Sequence, residues 1–248
     1  MAEYYIAPKS SFDATADAIR EKTGSQATIE WTQDGFADAI EAIPTGGGGW
    51  TADDIASPGS ITGTLRITGT SIAIYAFHGW SGITKLEAPN LVTATDNCFG
   101  NMTGISSLYL PSMTSFTGRP FGSITAPAVF PSLTSLESRR LEGWRGSKLD
   151  IGSSFTYGFR STSLYGCPNV NVIILRQASV VTLQNANAFN STPFASGGAG
   201  GTIYIPEALY NHLGDGTSND YKAATNWAIL DGYGTVTWAQ IEGSQYEN

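Results

Sequence analysis

Three stretches of the chain, set under one another, repeat a single pattern of apolar and polar positions. They are AFHGWSGITKLEAPNLVTATDN from Ala76, CFGNMTGISSLYLPSMTSFTGR from Cys98 and PFGSITAPAVFPSLTSLESR from Pro120. Each opens on a small or kinked residue and Phe, passes a polar turn, then reaches an apolar residue, Pro and a second apolar run. Phe77, Phe99 and Phe121 stand 22 residues apart, and Pro89, Pro111 and Pro131 stand 22 and 20 apart. The register persists in weaker form through Leu141, Leu164 and Phe189. A fixed period in the low twenties marks a stacked-repeat architecture, because one such unit buries almost nothing alone and needs its neighbours to complete a core.

The same pattern predicts the elements. Leu86-Glu87-Ala88-Pro89, Leu108-Tyr109-Leu110-Pro111 and Ile203-Tyr204-Ile205-Pro206 alternate apolar and polar positions as strands do, with Pro closing each where no ladder donor is needed. The apolar residues after each Pro (Leu91-Val92, Met113, Leu133) predict a second, shorter extended segment. No window within the repeats sustains a 3.6-residue period, so no long helix is expected there.

The two ends read differently. In residues 10–24, Phe12, Ala16 and Ile19 recur at near-helical spacing behind a Ser10 or Ser11 cap, and Gly24 ends the run. A short extended piece reaches Trp31, and a second amphipathic helix carries Phe36 and Ile40 before Pro44 and four consecutive glycines. After Pro206, residues 207–213 and 221–230 predict two helices, the second with Tyr221, Ala224 and Trp227 on one face. The expected fold class is mainly β (α+β): a β-solenoid, which the first resemblance below makes a leucine-rich-repeat one, with a small N-terminal helical module and a helical C-terminal cap. The expected boundaries are a helical module at 1–44, for which the second resemblance below implies attachment, a Gly-rich linker at 45–50, the solenoid at 51–206 and the cap at 207–248.

Two resemblances add to this reading. Residues 61–206 resemble the BspA-type leucine-rich repeats of bacterial surface and phage proteins, whose units run roughly aF.g...L..i.lP..v..i. The string around Tyr221-Lys222-Ala223-Ala224-Thr225-Asn226-Trp227 resembles the segment that closes such arrays. At the other end, ADAIREKTG and DGFADAIEAI followed by GGGG resemble a short N-terminal module of tail- and baseplate-associated proteins of phages and prophages. That resemblance implies attachment to a larger particle, and Phe12, Ile19, Trp31, Phe36 and Ile40 are the expected attachment residues.

Composition narrows the function. Charged residues are only 14% of the chain, and 13 Lys and Arg against 21 Asp and Glu leave a net charge of −8. Arg139-Arg140 is a mere pair in sequence, so no nucleic-acid partner is expected. No run approaches 18 apolar residues, so no membrane insertion is expected. The first residues have neither a basic n-region nor an apolar h-region, so no secretory signal is expected. Cys98 and Cys167 are too few for a disulfide framework and read as buried apolar positions.

Candidate chemistry is sparse. No GxSxG elbow, CxxC or HExxH spacing is present, so neither a catalytic residue nor a metal nor another cofactor is expected. Residues 215–220 place oxygen ligands at alternate positions but lack the closing Glu of a calcium loop, and they read as a turn. Glu137 and Glu142 are the one close acidic pair among the repeats that a glycan hydrolase would need. Aromatic and Arg side chains outside the core pattern suit recognition, and Trp80, Tyr109, Trp144, Arg145 and Tyr165 are the candidate ligand-binding residues. For Trp80 and Trp144 the equal alternative is turn packing. The expected function is a non-enzymatic phage or prophage virion protein of the tail-fibre, receptor-binding kind, made in the host cytoplasm and carried on the tail. Its expected partners are other virion proteins and a bacterial surface glycan or protein, with a homo-oligomer also open. The alternatives are a virion-associated glycan hydrolase and a bacterial cell-surface adhesin.

Overall fold

The computed structural model describes residues 62–247, and they form a mostly β structure with few helices. The attachment module and linker expected at 1–50, with Phe12, Ile19, Trp31, Phe36 and Ile40, lie outside the described residues, as does the start of the expected repeat region. The described strands are β1 (Gly63–Arg66), β2 (Ile83–Glu87), β3 (Thr93–Ala94), β4 (Ser107–Tyr109), β5 (Ser115–Phe116), β6 (Ala128–Phe130), β7 (Ser135–Leu136), β8 (Lys148–Ile151), β9 (Gly158–Phe159), β10 (Val172–Leu175), β11 (Gly201–Ile205) and β12 (Val236–Gln240). Two short helices, α1 (Glu207–Tyr210) and α2 (Trp227–Gly232), lie after Pro206.

Every strand pair is parallel. β1, β2 and β4 form one ladder, and β6, β8, β10, β11 and β12 form a second. Register follows the sequence period: Leu86 pairs with Leu108, Leu149 with Ile173, and Ile173 with Ile203. The two ladders adjoin between β4 and β6 without pairing. The repeat that contains β6 is two residues short, which sets Pro127 at the place where Ser107 stands in the preceding repeat. Proline has no N–H to offer, and the ladder stops there. The second extended segment is present as β3, β5 and β7, each starting two residues later than expected, and β9 continues the series where none was expected. Leu91, Met113 and Leu133 instead make the turn, where each N–H donates back to the residue three before it.

The periodic residues build the core. The Phe77 and Phe99 rings stack at 6.2 Å and 8° between planes, and Phe99 and Phe121 at 5.7 Å and 14°. The backbone repeats the same contact, with Phe77 N–H donating to Cys98 C=O (2.9 Å) and Phe99 N–H to Pro120 C=O (3.1 Å). Where Phe gives way to Leu, the column continues: Leu141 N–H reaches Ser163 C=O and Leu164 N–H reaches Ala188 C=O. Cys98 and Cys167 are free thiols buried in this core, as expected, and burial pushes both up to about 12.

The turn around each core Phe or Leu has a conformational period that composition hides. Two residues before it, Tyr75, Asn97, Arg139 and Thr162 have positive φ. Two residues after it, Gly79, Asn101, Ser123, Gly143, Gly166 and Ser191 do so as well. Glycine adopts this conformation freely, whereas a β-branched residue such as Thr162 (φ 61°) is strained in it. Thr162→Gly is therefore expected to stabilise the protein by about 0.5–1 kcal/mol, the relief of strain outweighing the glycine entropy cost. A thermal melt checks this, and a lower Tm for the variant would refute it.

The C-terminal segment departs from the expected helical cap. Pro206 starts a helix as expected, but it runs only to Tyr210. The second helix begins at Trp227, not Tyr221, because Asn226 adopts a left-handed conformation (φ 65°) that breaks any earlier turn. The strand β12 then extends the ladder beyond β11, with Ile203 opposite Trp238. The last repeat edge is thus covered first by another strand and not by a helix. The alternation in Val236-Thr237-Trp238-Ala239 carried that signal.

Candidate functional site

The structure removes two of the five candidate ligand-binding residues. Trp80 and Trp144 have no exposed surface. Each lies three residues after a core Phe or Leu, in the column that Met102, Ile124 and Cys167 occupy in the other repeats, all of them buried. Trp144 Nε1 donates to Ala126 C=O across 3.2 Å. These tryptophans pack the turn. The signal was present in sequence, since Met102, Ile124 and Cys167 in their column are apolar and only Thr192, three residues after Phe189, is polar.

The other three are exposed but stand on different parts of the repeat. Tyr109 projects from β4, in register with Glu87, and is 55% exposed. Arg145 lies in the connection before β8, where its N–H donates to Ile124 C=O and its C=O accepts from Asn169 Nδ2. Tyr165 stands on the turn, with the Arg139 guanidinium 5.5 Å from its ring centroid. They do not converge on a single pocket.

The outward side of the strand ladders is a regular surface among the described residues. Across the first ladder, Arg66, Glu87 and Tyr109 lie in one row. Arg66 Nε contacts Glu87 at 2.8 Å, and Lys85 pairs with the same carboxylate. The Lys85 hydrogen bond, helped by the charge of Arg66, holds Glu87 below the usual carboxylate range. Val129 is the exposed outward residue of β6.

Beyond Val129 the outward side is closed by the chain itself. The segment after β12 returns so that Tyr246 meets Tyr204 edge-on at 4.7 Å and lies 5.4 Å below the Lys148 ammonium. Arg176 Nη2 donates to the Tyr246 C=O (2.9 Å) while its Nε and Nη2 hold both oxygens of Asp150 (2.8 and 2.9 Å). Asp150 and Ile174, outward by register, are accordingly buried. The unbroken apolar run Val172-Ile173-Ile174-Leu175 is the sequence mark of a strand covered on both faces.

The remaining candidates have structural employment. Glu137 faces Arg160 at 3.5 Å, and Glu142 lies between Arg119 (3.5 Å) and Arg139 (3.8 Å). In the 215–220 segment, Asp215 accepts from Thr217 N–H and pairs with His212 Nδ1. Asp220 accepts from the N–H groups of Gly216 (3.0 Å) and Lys222 (2.8 Å). The aspartates here organise turns, and among the described residues no group of three His, Cys, Asp or Glu is placed to hold a metal ion.

Asp220 carries a pH prediction. Burial acts to raise its pKa, but hydrogen bonds from the Gly214, Gly216, Lys222 and Ala223 backbone outweigh it and leave the carboxyl below its ordinary value. A depressed folded pKa contributes stability that is complete above the unfolded value and vanishes as pH falls through the folded one. Stability from Asp220 is therefore expected to fall away below about pH 4. Melting curves of wild type and Asp220→Asn across pH 2–7 (roughly the range in which carboxylates titrate) should converge in acid. A constant gap between them at every pH would refute it.

No family model and no curated protein matches the chain. Among solved structures, the chain is similar to a leucine rich cell surface protein from Faecalibacterium prausnitzii A2-165. The match has 11% identity and a TM-score of 0.33, and it covers 60% of this chain and 55% of that one. The chain thus spans little more than half the length of that protein, and so slight a likeness fixes neither fold nor activity.

Proposed function

We propose that the repeats stack as a BspA-type leucine-rich-repeat solenoid in a non-enzymatic recognition protein. In this reading the protein is a tail component of a phage or prophage particle, joined to it through residues 1–44 and contacting a bacterial surface glycan or protein through the repeats. The observation that carries the reading is the open outward side of the first strand ladder. There Arg66, Lys85, Glu87 and Tyr109 project from parallel strands, with Val129 exposed on β6 at the adjoining edge of the second ladder, and paired strands stand about 4.8 Å apart. Charged and aromatic side chains at fixed spacing on a packed frame lose little freedom on binding, which favours contact with an extended surface ligand. The resemblance of residues 16–24 and 34–43 to particle-attachment modules supplies the other half of the reading.

Labelled full-length protein is expected to bind cells of a host strain and to co-sediment with tail particles. Tyr109→Ala is expected to weaken cell binding about tenfold, the scale of a single aromatic contact, without changing particle association. Particle association with no binding to any host cell would make the repeats a purely structural part. Release of sugars from host glycan by the purified protein would favour the hydrolase reading instead.

A further inference from the structure

The turn side of the repeats brings together basic residues that sequence holds apart. Arg119 and Arg139 each stand two residues before a core residue, Phe121 and Leu141, so stacking sets them in one column, with Arg140 beside them. They line a depression of about 440 Å³ together with Asp96, Gly118, Ser138 and Glu142. On one side the Asp96 side chain packs directly against Gly118, where an added Cβ would stand 2.3 Å from it. Three guanidiniums face two carboxylates, a local excess of positive charge in a chain whose net charge is −8.

The internal pairing is incomplete. Arg119 N–H takes one Asp96 oxygen at 2.7 Å. Glu142 is approached by Arg119 at 3.5 Å and Arg139 at 3.8 Å, both longer than a charge-assisted hydrogen bond. Its Oε2 is buried and meets only that longer Arg139 contact, and the Arg140 Nε is buried with no hydrogen-bond acceptor. Arg140 forms no ion pair among the described residues. The two side chains nevertheless keep exposed surface, and a guanidinium without an ion pair beside a loosely paired carboxylate in the lining of one depression favours a ligand that meets both.

We propose that this depression binds a carboxylated sugar residue of a surface glycan, its carboxylate on Arg140 and the neighbouring arginines and a ring hydroxyl donating to Glu142. Sulfate satisfies the arginines but offers Glu142 no hydroxyl, and a neutral sugar leaves Arg140 unpaired. Guanidinium groups match carboxylates in two-point geometry, and the depression is within the usual size of small-ligand sites. The inference rests on the recognition reading above and names the chemical class of its ligand.

The test uses full-length protein and oligosaccharides of galacturonate, glucuronate and N-acetylneuraminate, each beside its own methyl ester, with titration calorimetry as the readout. One acid is expected to bind while its ester does not, with affinity falling as salt rises. Arg140→Gln and Glu142→Gln are each expected to weaken it by roughly tenfold or more, the scale of one charge-assisted hydrogen bond. Unchanged melting temperatures keep those losses attributable to the site. Equal binding of acid and ester, no binding of any acid, or an unchanged Arg140→Gln affinity would overturn the proposal. So would inorganic sulfate that binds as tightly as the best oligosaccharide, which would leave a plain anion site. Cells that retain wild type and Arg140→Gln equally would overturn this site alone and leave the recognition reading standing. Oligosaccharide binding without cell binding would do the reverse.

Discussion

Gly152→Ala is expected to cost at least about 3 kcal/mol and to loosen the second strand ladder at its β6 end. An added Cβ would stand 2.1 Å from the Pro131 carbonyl oxygen and 2.5 Å from its Cα, both backbone atoms that no side-chain rotation can move. Gly152 follows β8 directly, and its N–H donates to Phe130 C=O at 3.1 Å. Relief of the clash therefore means pulling β8 away from β6, where Ile151 pairs with Phe130. Gly122→Ala is the matched control, since nothing lies within 4 Å of its added Cβ and the substitution is expected to be neutral or slightly stabilising. Chemical denaturation of both variants decides the matter, and equal midpoints would show that the ladder tolerates the shift.

The second large effect is expected at Trp227, where truncation to Ala should cost about 3–5 kcal/mol. The indole is fully buried and meets Phe159, Phe189, Tyr221 and Trp238 with centroids 5.2–6.0 Å away. Its Nε1 donates to Val181 C=O at 2.6 Å, while Val181 N–H donates to the Tyr221 hydroxyl at 3.1 Å. Burial pushes the Tyr221 phenol above its ordinary value, which keeps it neutral and able to serve this pair. Removing the indole therefore opens a cavity among aromatic rings and strands a buried carbonyl at once. Trp227→Phe separates the two terms, because it keeps most of the ring area and loses only the donor, at about 1–3 kcal/mol. If the Ala variant melts with wild type, the C-terminal segment contributes little to holding the repeats.

Much of the core was legible from the chain alone, for a physical reason. A stacked repeat makes each residue's nearest neighbour its counterpart about one period away. The spacing of Phe77, Phe99 and Phe121 thus anticipated the ring stack, and Leu141 and Leu164 continued it. The prolines likewise marked strand ends at Pro89, Pro111, Pro131 and Pro206. For the two tryptophans surface and turn packing stood level, because their neighbours in sequence are turn residues, while their neighbours in the stack are Met102, Ile124 and Cys167. Alignment by column, not by local context, gives their burial.

Sequence by itself determined the period, the strand-and-turn alphabet of each unit and the identity of the buried columns, since these depend on local polarity and on chain geometry. Tertiary structure alone decided three further things. The chain after β12 folds back over the second ladder, because Tyr246 finds Lys148, Tyr204 and Arg176 there, residues up to 98 positions away in the chain. Pro127 divides the parallel strands into two ladders only because the short repeat sets it at the pairing edge. Arg119 and Arg139 become one basic patch with Arg140 because a full repeat of chain separates them in sequence and a single stacking step separates them in space.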